Sequence, residues 1–125
     1  MRTGSRFWRR CRVRRFSTST AASVVLDSFQ WSGGNTSLEA LAMGVPVVTL
    51  PGRFMRGRVT AAMYRQMGLA DMIAADAVDW VSRAAKLATD AAAGAGARQA
   101  IVESGGRLFG DPTATRRLED FLREV

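Results

Sequence analysis

Residues 23–52, SVVLDSFQWSGGNTSLEALAMGVPVVTLPG, decide the fold. Ser23-Val24-Val25-Leu26-Asp27 is a β-branched run without polar alternation, which predicts a strand covered on both faces and ending at Asp27. Ser28 to Asn35 has loop composition, and Leu38, Leu41 and Ala42 then recur at helical spacing until Gly44 stops the turn. Val45-Pro46-Val47-Val48-Thr49-Leu50 predicts a second buried strand, with its proline near the start, where a missing N–H is tolerated. Pro51-Gly52 then turns the chain. Strand, helix and strand in this order make a βαβ unit of a parallel sheet.

Beyond Gly52 the pattern is helical. Val59, Ala62, Met63 and Met67 form an apolar stripe on a helix that starts near Arg56 and is closed by Gly68, and this Met-rich stripe reads as core. Asp76 and Asp79 sit where acids favour a helix start, with Val78, Val81, Ala85 and Ala88 as the inner stripe. Thr89 to Ala100, alanine-rich with Gly94 and Gly96, predicts a weaker helix or a linker leading to Ile101 and ended by Gly105-Gly106. Asp111-Pro112 reads as an N-cap before a proline at the first helical position, and Leu118, Phe121, Leu122 and Val125 follow at i, i+3, i+4 and i+7. The expected fold class is α/β, a short parallel sheet with flanking helices. Two strands offer little surface for so many helices, so the chain reads as part of a domain.

The chain has 125 residues, 47% hydrophobic and 23% charged, ordinary for at most one globular domain. No unbroken apolar run approaches the roughly 18 residues of a membrane span. With Cys11 as its single cysteine and no histidine, it excludes an internal disulfide framework, a multi-cysteine zinc site, a His-ligated metal and a Ser-His-Asp or Cys-His apparatus of its own. No metal is implied. The net charge of +7 invites a nucleic-acid reading, but Arg2, Arg6, Arg9, Arg10, Arg12, Arg14 and Arg15 carry all of it, and the remainder balances 11 basic against 11 acidic residues. A basic head on a neutral body argues against a nucleic-acid partner. Residues 1–22 therefore read as a separate, poorly ordered head and 23–125 as the folded part. The head has three readings: an accidental N-terminus, a mitochondrial-type presequence, or an arm for nucleic acid or a membrane surface. Cys11 reads as incidental. No apolar segment follows the arginines, so a secretory signal is not expected. A cytoplasmic location is, or a mitochondrial one if the head is a presequence.

A buried strand running into a glycine-rich loop and a helix start is a geometry that binds phosphate, because unpaired amides and the helix dipole point at the anion. Ser32-Gly33-Gly34-Asn35-Thr36-Ser37 fills that place. Gly33 and Gly34 are expected to allow positive φ and close approach of an oxygen, while Asn35, Thr36 and Ser37 add side-chain donors. The pattern is neither GxGxxG nor the Walker sequence, and no Lys follows, which argues against nucleoside triphosphate hydrolysis. A plain capped turn is the alternative, since Thr36 and Glu39 have capping-box spacing. In the functional version, Glu39 accepts hydrogen bonds from ribose hydroxyls while the turn holds a diphosphate. Arg53, Arg56 and Arg58 follow the second strand at the edge where parallel sheets place ligands, either as solvated or packing residues or as phosphate ligands. Trp31 is a candidate pocket wall, and Trp80 reads as packing.

Leu26-Asp27-Ser28-Phe29, the run Gly33-Gly34-Asn35-Thr36-Ser37-Leu38-Glu39-Ala40-Leu41, the run Met43 to Gly52 and Arg58-Val59 together resemble the protein O-GlcNAc transferases, in particular bacterial SPINDLY-like members. The resemblance runs from about Val24 to Val125. It implies the C-terminal half of the second Rossmann-like domain of a GT-B catalytic region, a family architecture usually preceded by tetratricopeptide repeats. It also implies that Gly34, Asn35 and Thr36 face the diphosphate of UDP, with Glu39 at the ribose; the expected nucleotide-sugar-binding set is Gly33, Gly34, Asn35, Thr36 and Glu39, with Ser37 and Arg58 as further candidates. Animal members have His-Thr-Thr at Gly34-Asn35-Thr36, so here the phosphate contacts fall to backbone amides, Asn35 and Thr36. The family's base-binding and proton-transfer residues lie upstream of the segment matched, so no catalytic residue is assigned and little or no turnover is expected of the isolated chain. The implied donor is UDP-GlcNAc, with no cofactor, and the implied acceptor is Ser or Thr of a protein. The competing function is a non-catalytic basic binding protein acting through its Arg-rich head.

Overall fold

The computed structural model describes residues 23–125, and the expectations for the head and Cys11 lie outside them. Strand β1 (Val25–Leu26) and strand β2 (Val47–Val48) pair in parallel, Val25 against Val47 and Leu26 against Val48. Thr49 continues this edge through a single parallel bridge to Ile73. Helix α1 (Asn35–Ala42) makes the crossover, and α2 (Val59–Met67), α3 (Ala77–Thr89), α4 (Ala91–Phe109) and α5 (Thr113–Glu124) follow. A 3-10 turn at Met55–Gly57 precedes α2 and a second at Ala70–Met72 follows it. Gly44 ends the α1 turn at φ +73, and Gly68 closes α2 in the left-handed conformation at φ +78.

The sheet positions the core. Val47 and Val48 are fully buried and point to opposite faces, as successive strand residues must. On one face lie Leu41, Val45, Val47, Met63, Tyr64, Met67 and Ile101; on the other Val48 meets Leu87, Ala97, Trp80 and Ala84. Helix α4 packs on α1, α2 and α3, and so reaches both clusters. Tyr64 Oη accepts the Val47 amide proton at 2.7 Å, and burial pushes its phenol well above the ordinary value. Among the described residues no helix is long and apolar enough to cross a membrane.

Several expectations are corrected. The strand at Ser23 to Asp27 is shorter and is not covered on both faces, since Leu26 is 53% exposed. It is also an edge strand, since β1 pairs only with β2 among the described residues. Val25 N and Asp27 N donate to the carbonyls of Pro46 and Val48, so the Leu26 peptide groups project toward an open edge. The helix after Gly52 begins at Val59 rather than near Arg56, and its buried face holds Thr60, Ala61 and Tyr64 beside Met63 and Met67, leaving Ala62 exposed. Asp76 does cap α3, accepting from Asp79 N, but the inward residues are Trp80, Ala84 and Leu87, and Val78, Val81, Ala85 and Ala88 face outward. The Trp80 indole donates to the Val48 carbonyl at 3.0 Å, and burying the larger ring sets the rotation of the helix.

The predicted break at Gly94 to Gly106 does not occur, because α4 runs unbroken for 19 residues. Asp90 caps it, accepting from the amides of Ala92 and Ala93, and the burial of Gly94, Ala97 and Ile101 against three helices outweighs the weak glycine propensity. In α5 the cap is displaced: Asp111 Oδ1 accepts from Thr113 N at 2.9 Å, and Pro112 precedes the first helical residue. Its stripe of Leu118, Phe121, Leu122 and Val125 is not core, since each remains more than half exposed.

Candidate functional site

The glycine-rich loop stands on a buried polar network. Asp27, at the carboxyl end of β1, accepts four hydrogen bonds: Oδ1 from the amides of Ser28 (3.0 Å) and Gly33 (2.8 Å), and Oδ2 from the hydroxyls of Ser32 (2.7 Å) and Thr49 (2.7 Å). Thr60 Oγ1 then sits 2.8 Å from both Ser32 Oγ and Ser37 Oγ, while its amide donates to Ser32 Oγ at 3.0 Å. All five side chains are buried, and among the described residues no buried side-chain polar atom lacks a partner. A buried carboxylate is tolerable only when so satisfied, and each bond in such a low-dielectric network fixes its neighbours. The network joins β1, β2, α1 and α2 and holds the loop base in one place. Sequence reading missed the roles of Asp27, Thr49 and Thr60. The available signals were a carboxylate ending a buried strand before a glycine pair, and threonines inside the apolar runs Val48-Thr49-Leu50 and Val59-Thr60-Ala61.

On this base the predicted residues separate. Gly33 and Gly34 have no positive φ, contrary to expectation. Gly33 is required by contact instead, since a Cβ there would lie 2.5 Å from Ser37 Oγ, while a Cβ at Gly34 meets nothing within 4 Å. Gly34 is the N-cap of α1 and no side chain caps that end, so the capping box of Thr36 and Glu39 is not formed. The first helical bond runs from Leu38 N to the Gly34 carbonyl, which leaves the amides before it at an uncapped helix start. Asn35, Thr36 and Glu39 are exposed, and their i, i+3 and i, i+4 spacing puts them on one side of the helix. Ser37 lies on the other side, with its hydroxyl turned inward to Thr60.

A cavity of about 140 Å³ opens beside the loop, lined by Asp27, Ser28, Trp31, Gly33, Thr36 and Ser37 against the apolar wall of β1 and Val47. Trp31 is thus a wall residue. The volume is below the roughly 300 Å³ at which pockets enclose a whole small ligand, so this surface suits part of one. Arg58 donates from Nε to the Gly52 carbonyl at 2.6 Å and braces the turn after β2. The Arg56 guanidinium lies 4.6 Å from the Phe54 ring centroid and 5.7 Å from that of Trp31, and Arg53 lies 5.8 Å from Phe54. Ser32 N donates to the Arg56 carbonyl at 2.8 Å, tying the two loops together. Among the described residues no group of three or more His, Cys, Asp or Glu could hold a metal ion.

A parallel βαβ unit with an uncapped helix start at the carboxyl end of its first strand defines a partial Rossmann-like α/β domain. The family model described as Glycosyl transferase family 41 matches residues 9–107, and the chain belongs to that family. The match begins inside the head that sequence reading set apart, and it ends before α5. A tomato (Solanum lycopersicum) relative named "Probable UDP-N-acetylglucosamine--peptide N-acetylglucosaminyltransferase SPINDLY" is 30% identical over 104 residues, covering 82% of this chain and 11% of that protein. A Caenorhabditis elegans UDP-N-acetylglucosamine--peptide N-acetylglucosaminyltransferase is 28% identical over 83% of this chain and 9% of its own length. Among solved structures, a mutant of the Thermobaculum terrenum O-GlcNAc transferase superposes with a TM-score of 0.78 at 35% identity, over 90% of this chain and 22% of that one. The chain therefore spans about a tenth of the curated relatives it matches.

Proposed function

We propose that this chain is the diphosphate- and ribose-binding part of a glycosyltransferase that moves N-acetylglucosamine from UDP-GlcNAc to Ser or Thr of proteins. The observation that carries this reading is the uncapped start of α1, held beside the Asp27-anchored loop at the carboxyl edge of a parallel strand. Amides at such a helix start, together with the dipole, stabilise an anion. In transfer, that anion is the departing diphosphate, whose charge grows as the bond between its oxygen and the anomeric carbon of the sugar breaks and the acceptor oxygen bonds to that carbon, so fixed donors there lower the barrier without reorganising. Gly34 leaves the approach open, Asn35 and Thr36 add side-chain donors, and Glu39 one turn on accepts from ribose hydroxyls. Acceptor alignment and the route for the proton belong to the parts of the relatives that this chain does not span. The identity of the donor rests on the relatives' names.

The test is a UDP titration of the 125-residue chain followed by amide NMR. Resonances from Gly33 to Glu39 shift, and Thr36→Ala or Glu39→Ala each weaken binding by about tenfold, the worth of one charge-assisted hydrogen bond. If saturating UDP moves none of these resonances, the reading fails.

A further inference from the structure

We propose that Arg53, Phe54 and Arg56, with Trp31, form a docking surface for an acidic polypeptide segment. That the docked segment is the glycosyl acceptor rests on the function proposed above; the docking itself does not.

Charge is the first argument. Between Pro51 and Val59 the chain carries three arginines and no acid, whereas residues 23–125 as a whole are balanced. The ion pairs among the described residues are Arg83 with Asp79 and Arg123 with Asp120, so neither Arg53 nor Arg56 has an acidic partner there. Geometry is the second. The Arg56 guanidinium carbon sits over both the Phe54 and the Trp31 ring, 4.6 and 5.7 Å from their centroids, so two aromatic faces hold in place an exposed cation whose planar fork matches a carboxylate. The third is exposure: Trp31 is 71%, Phe54 56% and Met55 86% exposed, an apolar border around the cations of the kind that anchors protein partners.

The platform is also preformed. Its backbone is fixed by the Ser32-to-Arg56 bond and by the Arg58 brace on Gly52, and buried Gly57 packs against the Phe29 carbonyl so closely that a Cβ would lie 3.3 Å from it. A rigid receptor loses little entropy on binding. Arg58 uses its Nε on the brace, so Arg53 and Arg56 are the two whole forks on a neutral body. That suits one or two carboxylates with apolar neighbours rather than the phosphate run of a nucleic acid, which needs a longer track of cations.

The test uses the full chain, wild type, Arg56→Ala and Arg56→Lys, at one ionic strength. Each is titrated with a peptide of about ten residues carrying one Ser among Asp, Glu and Leu, with its Asn/Gln counterpart, and with an oligo(dT) of similar length, while the Trp31 indole resonance is followed. The acidic peptide shifts that resonance, the amide counterpart binds about tenfold more weakly, Arg56→Ala lowers affinity about tenfold, and Arg56→Lys recovers only part because lysine lacks the planar fork. The proposal is overturned if Arg56→Ala binds the acidic peptide as well as wild type does, if the amide counterpart matches it, or if the oligonucleotide binds more tightly. UDP-induced shifts at Gly33 to Glu39, recorded on the same samples, remain in Arg56→Ala. Their loss everywhere, with peptide binding intact, sinks the donor-site reading and leaves the docking surface standing.

Discussion

Adjacent glycines in the loop have opposite reasons to be glycine. A methyl group at position 33 must displace the Ser37 hydroxyl from Thr60 and so open the network under the loop, whereas position 34 faces open space. Gly33→Ala is therefore expected to destabilise by about 1–3 kcal/mol, the range for overpacking a filled site. Gly34→Ala should cost less than about 1 kcal/mol, the loss from a poorer N-cap residue. Urea unfolding midpoints of the two variants check this, and equal effects would contradict the geometry. The glycine pair was visible in the sequence because Gly-Gly before a helical pattern is a local signal. The Asp27 network was not, since the bonds that close it, from Thr49 to Asp27 and between Thr60 and both Ser37 and Ser32, span 22 to 28 residues and only the fold brings those groups together. The capping box was misread for a related reason: Thr36 and Glu39 have the right spacing, but the helix starts one residue before Thr36, which places Gly34 at the cap.

At the level of elements, some local punctuation acted as read while the Gly105-Gly106 stop and the Asp111 cap did not, and the choice of helix face was misread. Asp76 as a cap and Gly68 as a stop act through their own backbone neighbours. Two stripes compete on α3, however, and Val78, Val81, Ala85 and Ala88 fit a helical period as well as Trp80, Ala84 and Leu87 do; only the position of Val48 selects the second. Helix α4 likewise keeps glycines that propensity disfavours. Gly96 meets nothing within 4 Å of an added Cβ, so Gly96→Ala should raise stability by about 0.5–1 kcal/mol, read as an increase in thermal midpoint. Hydrogen bonds from Arg83, and then from the Ala75 amide, hold the Asp79 carboxyl below its ordinary range at the start of α3. A lowered folded-state value means that the contribution is complete above the unfolded pKa and fades as pH falls through the folded one. The stability difference between wild type and Asp79→Asn is thus expected at neutral pH and should vanish in acid below the carboxylate range, which denaturant unfolding across pH 2–7 would test.

Taken as a whole, the molecule divides into a packed body and elements that rest on little of it. No residue of α5 is buried, and the bonds from Gln66 reach only Arg107 and Asp111. Removing residues 113–125 should therefore lower unfolding stability by less than about 1 kcal/mol while leaving both core clusters intact, as calorimetry of the shortened chain can establish. At its other margin the body leaves the flank of β1 around Leu26 without a partner strand among the described residues. Such a flank is a ladder missing its next rung, and any extended backbone that arrives there, including that of a neighbouring copy, supplies one. Association through that flank is therefore expected to rise with concentration, which light scattering over a dilution series checks.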